Sequence, residues 1–490
     1  MTERKQKAGR WTPPDALALP HVIEAIATCS SSRKDLESFL GAVPRSLWTP
    51  ALAAFLDCNT AMASWVGAEW PRIAVTNTEL PTWVLARLAA TLPLRPRIEI
   101  AHPIQKAAPL ASLVGVLGPA LVGVSLCFYD YSAVDGQGHT IARLLLQHCP
   151  RLRRVSIDAM SYSANDALNF TDEVNDVLAV LTHPHLKHVS INLGARTAAP
   201  RLGHLLAVWL STAPATTLYV VDVAPTDDDT AAAFCDALQG NTTLEDLIIV
   251  NVPSFGGFHG RTLPVSLKTL EWKGRDNEVV DNATVTDLAT AVGRTQLQKL
   301  DCNCFGPLAT RPAAAPMLSQ LQSLTVHGVN GAHTKALIEG LSSVPALTYL
   351  TLRNCSLSSS MELLMEMLAT TCIASLHVDD QYLTREDSAS VLSGVLQVPR
   401  LRALTLSMRL LDVFFVLPEL VAAGRQLYSL DLKTIARENA ELGKRAIYRA
   451  LALVHDVPFV TRSLPAAAEN FVVSALGRRS DRRHTCRLDL

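Results

Sequence analysis

Leu347-Thr348-Tyr349-Leu350-Thr351-Leu352-Arg353-Asn354-Cys355-Ser356-Leu357 sets apolar side chains at its first, fourth and sixth positions, with Cys355 and Leu357 behind them. In an extended chain successive side chains point to opposite faces, so Leu350 and Leu352 share a buried side and Tyr349, Thr351 and Arg353 share the other. A second copy, LEDLIIVNV, runs from Leu244 through Leu247 to Ile249. The same pattern starts at Leu121, Leu152, Leu186, Leu218, Leu267, Leu297, Leu321, Ile373, Leu401 and Leu427, which makes twelve copies in all. Their mean period is about 28 residues, with steps of roughly 23 to 34.

Between these anchors the apolar period changes to that of a helix. Val174/Val177/Leu178/Leu181, Leu202/Leu205/Leu206/Trp209, Ala231/Phe234/Cys235/Leu238, Val285/Leu288/Ala289/Val292, Met361/Leu364/Met365/Leu368 and Val413/Val416/Leu417/Leu420 each form one stripe. Short connections from each stripe to the next anchor suit right-handed β-α units. Neither half of a unit can bury its apolar face alone, so neighbours stack. The expected fold is therefore an α/β solenoid, a horseshoe with parallel β-strands on the concave side and helices on the convex side. Two units break the rule: 250–266, with Pro253 and Gly256-Gly257, and 303–320, with Pro307, Pro312 and Pro316, where loops or 3₁₀ turns are expected.

These motifs resemble leucine-rich-repeat proteins of the ribonuclease-inhibitor-like and cysteine-containing types, over residues 101–435. QHCPRLRRVSI (Gln147 to Ile157) and Cys355 carry the cysteine-containing form, and Gln381 holds the same ladder position in the next unit.

Residues 16–100 read differently, as a small all-α module punctuated by Pro44, Pro50, Pro71 and Pro81 and holding Trp48, Trp65, Trp70 and Trp83. Leu19-Pro20, then Val22, Ile23 and Ile26, then Asp35-Leu36 and Phe39, resemble the opening of an F-box. That resemblance implies docking on a Skp-type adaptor of cullin ubiquitin ligases through Leu19, Pro20, Val22, Ile23, Ile26, Leu36 and Phe39. The residues alone fit equally a helical cap over the apolar end of the repeat array. Residues 1–15 are expected as a flexible tail. Residues 436–490 are expected as a C-terminal cap and basic tail, with Cys486-Arg487-Leu488-Asp489-Leu490 pairing as a last strand.

Composition narrows the function. Lys+Arg 44 against Asp+Glu 45 gives a net charge of -1, so the basic field that nucleic-acid binding requires is missing. The ten cysteines are dispersed without a CxxC pair, as in reduced chains of the cytoplasm or nucleus. Residues 107–129 are uncharged, but Gly118-Pro119 would break a spanning helix, and a buried helix followed by a strand explains them without a membrane. No GxxxxGK[ST], GxGxxG, HExxH or GxSxG occurs, so no enzyme activity and no cofactor are expected. His183, His185 and His188 lack a completing carboxylate or cysteine, so no metal is expected, and Cys302 and Cys304 should both face the core. Asp227-Asp228-Asp229 should cap a helix.

The expected binding surface is the concave strand face. Arg154, His188, Glu271, Lys273, Lys299, Asp301, Tyr349, Arg353, His377 and Asp379 lie there in mixed charge, which suits a protein partner. Two functions follow: an F-box-like substrate receptor of a cullin-type ubiquitin ligase, or a stand-alone leucine-rich-repeat scaffold or sensor.

Overall fold

The structure is a computed structural model. It describes residues 20–434, apart from 31, 130–135, 161–166, 195–198, 223–226, 252–256, 275–279, 330, 381–382 and most of 409–426, together with the strands at 459–460 and 485–489. The chain divides into two compact units, Met1–Ala215 and Thr216–Leu490.

The first unit opens with three helices, α1 (Pro20–Cys29), α2 (Arg33–Ala42) and α3 (Pro50–Asp57). Their starts are written in the sequence. Ser32 accepts from Asp35 N at the head of α2, and Thr49 accepts from Leu52 N with Pro50 in the first turn of α3. Strands β1 (Val66–Glu69) and β2 (Arg72–Val75) then pair antiparallel. From β2 onward the pairing is parallel, through β3 (Arg97–Ile104), β4 (Leu121–Tyr129), β5 (Arg154–Met160) and β6 (His188–Asn192). The helices α4 (Thr82–Ala90), α5 (Ala107–Leu117), α6 (Gln137–His148), α7 (Ala167–Val177) and α8 (Leu202–Thr212) alternate with them. The expectation of an all-helical segment over 16–100 is thus corrected, because Ile73/Val75 and Ile98/Ile100 alternate as strands and continue the buried rows of the repeat. The uncharged run 107–129 is α5 followed by β4, and no helix among the described residues is long and apolar enough to cross a membrane.

The second unit repeats the plan. Strands β7 (Thr217–Val221), β8 (Asp246–Val250), β9 (Thr269–Lys273), β10 (Lys299–Cys302), β11 (Ser323–His327), β12 (Tyr349–Arg353), β13 (Ser375–Asp379), β14 (Ala403–Met408) and β15 (Ser429–Thr434) pair in parallel, each with the next. β17 (Thr485–Asp489) lies against β15, with β16 (Phe459–Val460) on its far side. The helices are α9 (Asp228–Gly240), α10 (Asn282–Val292), α11 (Phe305–Ala309), α12 (Ala315–Leu318), α13 (Gly331–Gly340), α14 (Met361–Thr370) and α15 (Arg385–Val395). Asp227 caps α9 and Asp281 caps α10, each accepting from a threonine N–H three residues on, and Thr384 with Asp387 forms a capping box on α15.

The anchors set the register. Leu347, Leu350 and Leu352 are buried, and the strand begins two residues after the first of them, as it does after Leu152, Leu186, Leu244, Leu267, Leu297, Leu321, Ile373, Leu401 and Leu427. One anchor is misplaced: in β7 the first position belongs to the buried Ala215, and Leu218 holds the second. The unit at 303–320 has the expected 3₁₀ turn, at Pro312–Ala314, but is helical on either side of it. It holds the short helices α11 and α12, because Pro316 sits in a first turn where no N–H is needed and Pro307 falls within the first turn of α11. The stripe at 413–420, Gln381 and the expected helix at 436–455 lie outside the described residues, in whole or in their greater part.

At the ends of four strands the chain turns through the left-handed region, at Asp222, Asn251, Gly328 and Asn354. Each backbone N–H there donates to the last residue of the neighbouring strand, Val250, Lys273, Arg353 and Asp379 respectively. Asp, Asn and Gly tolerate this conformation best. Directly after Asn354, the buried Cys355 thiol reaches the carbonyls of Val326 and Arg353, and Thr334 Oγ1 donates to the Cys355 carbonyl.

Candidate functional site

Strand alternation places the second, fourth and sixth residues after each anchor on the exposed face of the sheet. In the second unit the register aligns them into rows: Thr269, Lys299, Ser323, Tyr349 and Ser375 in one, Glu271, Asp301, Thr325, Thr351 and His377 in the next. His327, Arg353 and Asp379 follow in a third. Parallel strands lie ~4.8 Å apart, so residues in a row are close lateral neighbours.

Three charged side chains and a histidine on β9, β10 and β11 form one network. Lys273 Nζ lies 2.7 Å from Glu271 Oε1 and 3.2 Å from Asp301 Oδ1, and His327 Nε2 is 3.0 Å from Asp301 Oδ1. All four side chains are half-buried. His327, unlike Glu271, Lys273 and Asp301, was not among the residues singled out from sequence, although it holds the sixth place after Leu321. Lys299, Tyr349 and Arg353 are exposed on the same face, and no ion pair engages Lys299, Arg353 or Asp379 among the described residues. Tyr349 is 59% exposed, the largest exposure of any of the large hydrophobic side chains on described strands.

Arg154 and His188 belong to the first unit, where they are paired at the starts of β5 and β6. Arg154 Nη1 lies 3.7 Å from Glu99 Oε2, and Arg72 Nη2 lies 2.5 Å from the same oxygen. These three residues sit on β5, β3 and β2, and Gly123 on β4 leaves the room between them: a Cβ at Gly123 would come within 3.1 Å of Glu99 Cγ and 3.5 Å of Arg154 Cβ. Asp158, also on β5, accepts from the Asn192 side chain, yet burial raises its carboxyl above the usual range.

The adaptor-docking candidates separate. Ile23 and Leu36 are buried in the first unit, where α1 packs on the short 3₁₀ turn Leu92–Leu94 and Trp70 Nε1 donates to Ser30 O at 2.8 Å. Those two side chains hold the fold together. Pro20 is exposed, Ile26 is 36% exposed, and Val22 and Phe39 are half-buried. Leu19 lies outside the described residues.

The other polar candidates are structural. Cys302 and Cys304 are both buried, and the hydrogen bond between their thiols, with burial, pushes the Cys302 thiol well above its ordinary value. His183 is buried: Nε2 lies 3.1 Å from Cys149 O, and Nδ1 accepts from His185 N at 3.3 Å. Both ring nitrogens are thereby used by the neutral imidazole. Burial first, and the neighbouring His185 second, lower its affinity for a proton against the raising effect of the Cys149 carbonyl. Below the ordinary value of 6.5 the unfolded chain takes up a proton that the folded chain refuses. Stability is therefore full above that pH and falls as the pH drops through the window beneath it. A thermal melting series between about pH 7 and about pH 5 should show this fall, with a shallower slope in His183→Gln. Equal slopes would remove His183 as the cause.

No family model matches the sequence, and no curated protein does. Among solved structures the chain is similar to one from the crystal structure of the Rad7 and Elc1 complex in yeast, at 17% identity and a TM-score of 0.32, over 70% of this chain and 89% of that one.

Proposed function

We propose that this protein is a recognition module that binds another protein through the exposed strand face of its repeats and carries out no bond chemistry itself. The observation that carries the reading is the face of β9–β13. Polar and charged side chains stand there in aligned rows, part of the charge is neutralised internally by the Glu271–Lys273–Asp301–His327 network, and Tyr349 projects from it. A tyrosine standing on a rigid polar sheet has the character of an interface anchor, large in area and low in conformational cost.

A photo-crosslinking residue placed at position 349 should give a discrete protein adduct in cells, and the same residue at Glu339, exposed on the helix α13, should not. Adducts of equal pattern from both positions would count against the strand face.

The finer reading is an F-box-like substrate receptor of a cullin-type ubiquitin ligase, supported by the exposed Pro20 and Ile26 and the half-buried Val22 and Phe39 on α1 and α2. Co-purification with a Skp-type adaptor should succeed for the wild type and fail for a folded Pro20→Ala/Ile26→Asp variant. Failure of the wild type to bind leaves these helices as a cap and the protein as a stand-alone scaffold.

A further inference from the structure

The starts of strands β10 to β15 form a rim with a composition of its own. At the residue before each strand and the first residue within it, the chain reads Gln298-Lys299, Gln322-Ser323, Thr348-Tyr349, Ala374-Ser375, Arg402-Ala403 and Tyr428-Ser429. No carboxylate occurs among these twelve positions. The acids of these strands stand further along: Asp301 at the third residue of β10, Asp379 at the last of β13, Asp431 at the third of β15. Lys299 and Arg402 are exposed and engage in no ion pair among the described residues. Tyr349 and Tyr428 are 59% and 55% exposed. Six strands at ~4.8 Å give a rim about 24 Å long, the reach of some seven residues of extended chain.

The register holds these groups at fixed intervals. Lys299 and Tyr349 stand in one register row two strands apart, and that row continues to Ala403 and Ser429; Arg402 and Tyr428 each stand one residue ahead of it, two and three strands beyond Tyr349, in the turns that lead into β14 and β15. The backbone there is pinned, since Tyr349 N donates to Gln322 O and Tyr428 N donates to Arg402 O. Cation and tyrosine therefore alternate along the strand starts on a rigid support, with only neutral side chains between.

Resting on the reading of this protein as a protein-recognition module, we infer that the rim formed by the starts of β10–β15 docks an acidic, extended segment of the partner, with Lys299 and Arg402 taking its carboxylates and Tyr349 and Tyr428 packing against the side chains between them. The partner's sign follows from the complementarity of an acid-free edge with two unengaged cations. A single-stranded nucleic acid is the other polymer that uses cations and stacking rings, but it needs a cationic track along its backbone. Here two cations serve some 24 Å of rim, on a chain whose net charge is -1.

The test is fluorescence anisotropy of the full chain with three labelled probes: a dodecapeptide of alternating Glu and Leu, its Lys/Leu counterpart, and a dodecamer of thymidine. The Glu/Leu peptide should bind, and its affinity should fall at least tenfold in Lys299→Glu/Arg402→Glu and in Tyr349→Ala/Tyr428→Ala. Circular dichroism confirms that these surface variants remain folded. Preference for the Lys/Leu peptide, with loss in the tyrosine variant, would overturn the acidic assignment and leave protein recognition standing. Tighter binding of the thymidine probe would overturn both. Binding of the acidic peptide undiminished in either double variant would remove the rim as its site, and no binding of the acidic peptide would overturn the inference while the crosslink at position 349 decides the broader reading.

Discussion

Trp209→Ala should lower the urea midpoint of the first unit more than any surface change, at a cost of about 3–5 kcal/mol. Trp209 lies in α8, fully buried, on the stripe Leu202/Leu205/Leu206, and its Nε1 donates to Leu186 O at 2.9 Å. Leu186 is the anchor that precedes β6, so one side chain both fills the space between helix and sheet and satisfies the carbonyl where a strand begins. Truncation opens a cavity and leaves that carbonyl without its donor. Trp209→Phe, which keeps much of the volume and loses the donor, should recover more than half of the cost. Denaturation followed by circular dichroism for both variants is the check, and a Phe variant as unstable as the Ala variant would assign the effect to the hydrogen bond instead of the packing.

Glu173→Ala should cost about 3 kcal/mol or more, unusual for a carboxylate in a chain whose charges are otherwise mostly at the surface. Glu173 is 6% exposed on α7, and its two carboxylate oxygens accept from the backbone N–H groups of Gly136 and Gly138 at the head of α6. These are donors that a helix start leaves unpaired, and a negative charge there also meets the positive end of the helix dipole. The approach is close enough that a Cβ at Gly138 would lie 2.1 Å from the Glu173 carbonyl oxygen. Glu173→Gln retains one acceptor and should lose about half as much. The measurement is the denaturation midpoint together with hydrogen exchange over 136–142. Exchange there that does not change in Glu173→Ala would refute the capping role.

The repeat was legible because its signal is local. Leu347, Leu350 and Leu352 name their own strand, and the stripe Met361/Leu364/Met365/Leu368 names the helix that follows. Where the sequence reading slipped, a small residue or a missing anchor was responsible. Ala215 is buried in a place held elsewhere by leucine, so the leucine pattern points three residues late, to Leu218. β2 and β3 carry the strand alternation of Ile73/Val75 and Ile98/Ile100 without a leading leucine, and the prolines and tryptophans around them suggested helices alone. The αL turns at Asp222, Asn251, Gly328 and Asn354 are readable as Asp, Asn or Gly two residues after the last core position of each strand. For the candidate site, alternation identified which residues share the strand face. The partnership of His327 with Asp301 required the register between strands, because their 26-residue separation has no counterpart in a single strand's pattern.

The shared register of β7 through β15 makes the strand face a ruler. Any two functional groups on it are separated laterally by a whole number of strand spacings, so their distances come in steps of ~4.8 Å. Gain or loss of one complete repeat would lengthen or shorten the reach between Lys299 and Arg402 by a single step and leave the chemistry at each end unaltered. An array built this way can be retuned in length separately from what it recognises, and the irregular loops between its strands can vary without disturbing the graduation.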